Sequence, residues 1–303
     1  MKVFREATFE DVSICLEIID SNERYFDPSA KSAGEIHVRE LLKGYFSEVH
    51  TELFLDGNTH LALINIQGDD VRRTYFPDIY IEPEHDLWDT CILKMESVID
   101  AIHPDWRVLI SINSKDNQAK EILNNFGYEF VRKYWVMEAA ITTAPQLTYP
   151  QGVEFKKIDL NEDLPIWHQL HQNAFSSHFG FMARPFDKWC ELMTSSERFD
   201  IEGTFILYRN GGPIGFVQSS NELEHEASGY ISTVGVIHEE QDKGYGTLLV
   251  QRANLHAYEK GYRKIGLNVD TGNTTSALRV YERLGFVPLS SWEQFEKSSK
   301  VFL

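Results

Sequence analysis

Gln241, Asp242, Lys243, Gly244, Tyr245, Gly246 and Thr247 stand between an apolar run and an amphipathic one. Tyr230 to Ile237 is rich in β-branched and aromatic residues, as a buried strand is. From Thr247 to Lys260, Leu248, Leu249, Ala253 and Tyr258 recur at helical spacing, and Gly261 stands where a helix stops. The two glycines therefore fall at a helix start. Free N–H groups and the positive end of the dipole attract a phosphate there. Glycine lets the backbone approach, because no Cβ intervenes. Successive N–H groups can cradle an anion, and Lys243 adds a cation. The chemistry is retention of a phosphorylated ligand, foremost a pyrophosphate. Two glycines before a helix also make a plain turn, and spacing alone leaves both readings open. A dinucleotide fingerprint wants a third glycine where Leu249 stands. A P-loop needs a Gly-Lys-Ser/Thr ending, which is absent.

Gln241-x-x-Gly244-x-Gly246 after Val234-Gly235-Val236 resembles the acetyl-CoA signature of the GNAT acetyltransferases. The resemblance continues through Leu267-Asn268-Val269-Asp270, Asn273, Ala277, Tyr281 and Leu284-Gly285-Phe286. It implies a central pair of parallel strands that splay apart and hold the pantetheine arm of acetyl-CoA. Backbone groups of Val234, Gly235 and Val236 would pair with that arm. One N–H there would polarise the acetyl carbonyl, an effect typically worth roughly 3 kcal/mol of barrier. Gln241 to Thr247 would hold the pyrophosphate, and Asn273, Ser276 and Ala277 would line the far side. The cofactor expected is acetyl-CoA as co-substrate, with no metal.

Transfer to an amine moves two protons. By resemblance Tyr281 protonates the leaving thiolate; the alternative is a core aromatic on the last helix. Tandem relatives of the mycothiol synthase type carry a Glu, as base, where Tyr230 stands. Glu224, His225 and Glu226 lie just upstream and could serve directly or through water, or form a solvated acidic turn. His178, in Phe175-Ser176-Ser177-His178-Phe179-Gly180, matches a Phe-x-x-His-aromatic-Gly run of those relatives. An imidazole titrates near neutrality, so His178 could contact or deprotonate the acceptor; the alternative is a packed aromatic cluster.

The elements that position these residues occur twice. Val153 to Lys157 reads as a strand, followed by two helices and a hairpin turning at Asn210-Gly211-Gly212. Arg263 to Val269 is a strand and Thr274 to Leu284 a helix. Upstream, Val3 to Ala7 is a strand, and Thr8 with Asp11 caps a helix bearing Ile14, Ile18 and Ile19. A second helix spans about 34–46, and a hairpin turns at Asp56-Gly57-Asn58. Then come a strand from Arg73 to Ile81, a helix from Leu87 to Ile102, a strand from Arg107, a helix from Asn117, and a strand from Tyr128 to Ala139.

The chain is thus an internal repeat, with Phe126-Gly127-Tyr128 opposite Leu284-Gly285-Phe286 and Leu123 opposite Tyr281. The fold class expected is α+β (mixed α/β): two tandem GNAT-like domains. Each has a mixed, mostly antiparallel sheet flanked by helices. The division expected is 1–142, a polar proline-bearing linker at 143–152, and 153–303. Laying Ile79-Tyr80-Ile81 on Val234-Gly235-Val236 puts Asp89 at Gly244 and Cys91 at Gly246. No glycine occurs between Asp70 and Ile112. The first half is therefore expected to have lost the cofactor.

Composition sets the outer bounds. The 303 residues are 42% hydrophobic and 25% charged, an ordinary globular balance. A net charge of −17 repels nucleic acid and tolerates a cationic acceptor. No apolar run reaches membrane-helix length, and Met1 to Glu6 does not open a signal peptide. Three scattered cysteines predict a reducing cytoplasm without disulfides or a zinc site. The function expected is an acetyl-CoA-dependent N-acetyltransferase for a small-molecule primary amine, monomeric, with the second domain active. The alternatives are a non-catalytic acyl-CoA sensor or scaffold, and an enzyme using another acyl-CoA.

Overall fold

A computed structural model describes residues 2–46, 48–272 and 277–298. The chain runs β1 (Lys2–Glu6), α1 (Val12–Phe26), α2 (Glu35–Lys43), β2 (Glu48–Asp56), β3 (Thr59–Asp69), β4 (Thr74–Ile81), α3 (Trp88–Ile102), β5 (Arg107–Asn113) and α4 (Asn117–Asn125). It continues β6 (Glu129–Ala140), β7 (Val153–Lys157), α5 (Leu164–Phe175), α6 (Phe186–Thr194), β8 (Phe199–Arg209), β9 (Gly212–Ser220), β10 (Gly229–Val236), α7 (Tyr245–Glu259), β11 (Lys264–Asp270), α8 (Ala277–Arg283) and β12 (Val287–Lys297). The expected mixed α/β class and doubled element order are present. Among the described residues no helix is long and apolar enough to cross a membrane.

Local chemistry explains the boundaries. Thr8 and Asp11 form a reciprocal capping box ahead of α1, and Arg5 grips the Asp11 carboxylate at 2.6 Å. Asn210 and Gly211 both take positive φ, which the tight turn between β8 and β9 requires.

Two compact units result: Met1–Tyr134 with Ser290–Leu303, and Trp135–Leu289. In the first, β1, β2, β3 and β4 run antiparallel in order, then β5 parallel to β4. The end of β12 closes that sheet against β5, with Trp292 opposite Asn113. In the second, β7, β8, β9 and β10 run antiparallel, then β11 parallel to β10, and the end of β6 beside β11. The strand run of each unit thus ends on a strand from the other half of the sequence. The division drawn at 142 follows the linear repeat, and periodicity does not report which sheet edge a terminal strand joins. Residues 143–152, expected as a linker, fall within the second unit, and Ile141, just before them, is buried with its N–H bonded to the Arg263 carbonyl.

Each sheet has a core on both faces. In the second unit, one face packs α7 and α8 through Leu248, Leu249, Ala253 and Tyr281, and the other packs α5 and α6 through Trp167, Leu170 and Trp189. The first unit repeats this with α3 and α4 on one face and α1 and α2 on the other.

Candidate functional site

The site begins where β10 and β11 part. They pair in parallel at Gly229 with Ile265, Tyr230 with Gly266 and Ile231 with Leu267, and no further. On its other edge β10 stays bonded to β9 as far as Val236 opposite Gly215. The pairing shifts register between Ile231 and Thr233, leaving Ser232 as a bulge. A bulge bends the strand and raises its twist. The β11-side backbone groups of Thr233 to Val236 are therefore left without a strand partner, an open edge on which an extended group can add.

Val234 and Val236 turn their side chains into the core under α7. Gly235 faces the opposite way. A Cβ there would lie 2.8 Å from Ala174 Cβ and 3.0 Å from the Phe216 ring, so glycine is needed for α5 to seat on the strand.

Beyond Val236 the chain makes one short 3₁₀ turn, His238 to Glu240, and enters the glycine loop. The Gln241 side-chain amide donates to the Val236 carbonyl at 3.1 Å, which ties the loop to the end of the strand. Asp242 and Gly244 both adopt left-handed φ, +59° and +88°. Gly244 is the N-cap of α7, and no side chain caps that end. The amides of Tyr245, Gly246 and Thr247 thus head the helix with no capping side chain, the arrangement that suits a phosphate. A Cβ at Gly246 would meet nothing within 4 Å, so that approach is open. Tyr245 is buried and anchors the helix start. Lys243 is turned back: its ammonium bonds the Glu239 carbonyl at 2.7 Å and the Glu240 carboxylate at 3.1 Å. Lys243 and Arg209 hold Glu240 below the usual carboxylate range.

Tyr281, on α8, is buried beside Phe286. Burial pushes its phenol up to about 12, so it stays protonated, and its hydroxyl has no hydrogen-bond partner among the described residues. Ala277 opens the same helix, packed against the core. Asn273 and Ser276 lie outside the described residues.

At the far ends of the two strands lies a polar group. The His238 amide donates to the Asn173 side chain at 3.0 Å, and the His238 ring meets the Ser176 hydroxyl at 2.9 Å. His178 packs edge-on to Phe175 with ring centroids 4.5 Å apart. Burial lowers its affinity for a proton, Asp270 at the end of β11 opposes that, and His238 adds to it. His178 is therefore neutral at pH 7, within electrostatic reach of both strand ends. From sequence no role was assigned to Asn173, His238 or Asp270, although Asp270 closes the Leu267-Asn268-Val269-Asp270 run. The signal was positional, since His238 and Asp270 stand at the ends of the two strands.

Tyr230 and Glu226 sit elsewhere. Tyr230 lies on the closed end of the pair, its ring against Gly266. That is four residues from Val234, roughly 13 Å of extended strand. Burial raises its phenol pKa first, and Glu222 adds to this, so it does not accept a proton near neutrality. Glu226 belongs to the exposed turn before β10 and pairs with Lys264 at 3.7 Å. Neither is brought to the splay.

Residues 164–286, which contain this whole arrangement, match the model of the acetyltransferase (GNAT) family. This segment belongs to the GNAT family. Over 170 residues the chain is 28% identical to a mycothiol acetyltransferase of Catenulispora acidiphila, covering 54% of each protein. The alignments thus span about half the length of such relatives. In fold the similarity covers nearly everything. A GCN5-related N-acetyltransferase from Sphaerobacter thermophilus superposes with a TM-score of 0.79 at 21% identity, over 98% of this chain and 95% of that one. A tandem GNAT protein from the clavulanic acid biosynthesis pathway gives 0.75 at 13% identity, over 99% of both. The tandem GNAT architecture expected from the repeat is therefore present.

The first unit carries the same splay with different residues. β4 and β5 pair only at Thr74 with Arg107 and Tyr75 with Val108. Its α3 starts at Trp88, seven residues after Ile81, whereas α7 starts nine residues after Val236. The strand register therefore does not carry across the loop. Matched by helix start, Leu87 stands at Gly244 and Asp89 at Gly246, while Cys91 is buried core. The expected pairing of Asp89 with Gly244 and Cys91 with Gly246 is corrected by this two-residue difference. At the other end the match holds: Tyr128 N–H bonds the Leu123 carbonyl as Phe286 N–H bonds that of Tyr281.

Proposed function

We propose that the second unit is an acetyl-CoA-dependent N-acetyltransferase acting on a small primary amine, and that the first unit has lost the cofactor. The observation that carries this is continuity: the unpaired edge of β10 runs from Thr233 to Val236 straight into the uncapped start of α7. Acetyl-CoA would supply the thioester that the amine attacks. The residues fit it. The α7 amides and Gly246 accommodate a pyrophosphate, and the β10 edge accommodates an amide-bearing arm. Lys243 contributes through its ion pair to loop shape rather than as a free cation.

His178 is the acceptor's base in this reading. Neutral and close to Asp270, it takes a proton from the incoming ammonium or through one water. The amine nitrogen then bonds the acyl carbon and sheds its second proton to water as the carbon–sulfur bond breaks. Tyr281 gives its proton to the departing sulfur and recovers one from solvent. Its buried, protonated hydroxyl suits a donor.

The acceptor panel is chosen for primary amines, with mycothiol-type acceptors included because the named relatives suggest them. Acetyl-CoA affinity by calorimetry and CoA release are measured together. Gly246→Asp, which imports the first unit's residue where there is room for it, should abolish binding without unfolding the chain. Asp89→Gly should change neither. Acetyl-CoA binding that survives Gly246→Asp would overturn the assignment. A non-catalytic acyl-CoA sensor remains the second reading, favoured by the absence of a carboxylate at Tyr230. It predicts binding without CoA release for every amine.

A further inference from the structure

The bulge in β10 is held by side chains. Ile231 faces Ser219 on β9, the next β9 residue, Gln218, faces Thr233, and Ser232 is the extra residue, exposed to solvent. The Thr233 hydroxyl lies 2.6 Å from Gln218 Oε1, and Gln218 Nε2 lies 3.4 Å from the Met193 carbonyl on α6. A carbonyl only accepts, so the Met193 oxygen draws the amide nitrogen and leaves Oε1 toward Thr233. Thr233 is therefore the donor. Gln218 is 5% exposed, and among the described residues its Oε1 accepts from Thr233 alone. Removing that hydroxyl strands a buried acceptor.

The first unit has the same glutamine in a different bond. Tyr75 corresponds to Ile231, since each makes the last parallel pair of its splay, with Val108 and Leu267 respectively. One step on, Phe76 faces Gln67 with no shift of register. Gln67 is buried too, and its Nε2 also donates to a carbonyl of the second helix, that of Leu41 on α2, at 2.9 Å. Its Oε1, however, accepts the Tyr45 main-chain N–H at 2.9 Å, and Phe76 has no hydroxyl to offer. The glutamine thus meets a loop amide where the strand is regular, and a strand hydroxyl where the strand is bulged.

We infer that Thr233 and Gln218 are positioning residues: their hydrogen bond locks the bulge and so selects which main-chain N–H groups of β10 face the gap beside β11. This rests on the reading of that gap as the acetyl-CoA site. Along a strand, successive N–H groups point to opposite edges. Losing the bulge would slide Thr233 to Val236 by one residue against β9, so the N–H groups now facing the gap would turn to β9. Every side chain there would also change face. Val234 and Val236 would then press toward α5, where even a single Cβ at Gly235 is blocked by Ala174 and Phe216. Gly235 thus opposes the slip by size, and Thr233 opposes it by a directed bond. An N–H polarises an acyl carbonyl only at hydrogen-bond distance, so the register of this edge decides whether the donor is in place.

The test uses the full chain. Thr233→Val removes the hydroxyl and keeps the shape, Thr233→Ser keeps the hydroxyl, and Gln218→Met removes the acceptor. Deuterium exchange of the unliganded chain, read on peptides spanning 232–237, should run at least about tenfold faster in Thr233→Val and Gln218→Met, and near the wild-type rate in Thr233→Ser. Acetyl-CoA affinity by calorimetry should fall about tenfold in Thr233→Val and return in Thr233→Ser. ADP, which carries the diphosphate without the arm, should bind wild type and both Thr233 variants alike. Unchanged exchange in Thr233→Val, faster exchange with undiminished acetyl-CoA affinity, or equal losses for acetyl-CoA and ADP would overturn the inference. A wild-type chain that binds no acetyl-CoA would instead sink the reading of the site, and the exchange rates alone would then decide whether this bond holds the bulge.

Discussion

The two splayed strand pairs share a scaffold and differ in what lines it. β10 is bulged at Ser232 and carries Gly235 beyond it, while β4 runs on against β3 without a shift and carries Tyr80. The second unit places Gly244 and Gly246 at a helix start, where the first has Leu87 and Asp89. It holds a buried hydroxyl at Tyr281, where the first has Leu123. The first unit instead carries two half-buried carboxyls, Glu23 and Asp78, whose affinity for a proton burial raises. Backbone topology provides an open strand edge in both units, and a few side chains give the two edges different surroundings.

The largest test of that contrast is Tyr281→Phe. Turnover should fall on the order of 100-fold with acetyl-CoA affinity unchanged, a split read by single-turnover kinetics and calorimetry. Equal turnover would leave the hydroxyl no role. Next, His178→Asn should cost about tenfold in kcat/KM. Because burial keeps its proton affinity low, the wild-type rate should rise with pH through an acid limb below the ordinary histidine range, then level off. The variant should lack that limb, and a limb that persists would point to another base.

In the first unit the comparison is read through stability. Asp78 keeps its proton to about pH 7 when folded, while an unfolded aspartate loses it near about 4. The native state binds more protons over that window, so stability falls as pH rises from about 4 to about 7. Asp78→Asn should remove that slope and stabilise the chain at pH 8 by on the order of 2 kcal/mol, measured by urea unfolding. A loss of stability there would mean the carboxylate has a partner. The smallest effect is expected from Gly235→Ala, which presses a methyl on Ala174 and Phe216. It should cost about 1 kcal/mol, with the melting temperature as readout, whereas Tyr80→Phe should cost less.

Much of this was legible in the residues. The helix after Gly246, the hairpins at Asn58 and Gly211, and the Leu-Gly-Phe stop follow from local rules of φ, periodicity and capping. The fold class followed from the repeat. Lys243 was legible as a cation but not as a partner of Glu240, because side-chain pairing depends on rotamers that spacing does not fix. Tyr230 and Glu226 were drawn to the site by nearness in sequence, and a strand carries them away at about 3.3 Å per residue. The electrostatic coupling of Glu23 to Asp78 was invisible, since it joins a helix and a strand about fifty residues apart.

The exchange of end strands has a consequence for anyone dividing this chain. A fragment cut at the linker would leave β5 with a bare margin and β11 likewise, and bare margins recruit one another. On the ribosome the first sheet waits for Trp292 to Lys297, so it is finished only once the entire second unit has been synthesised.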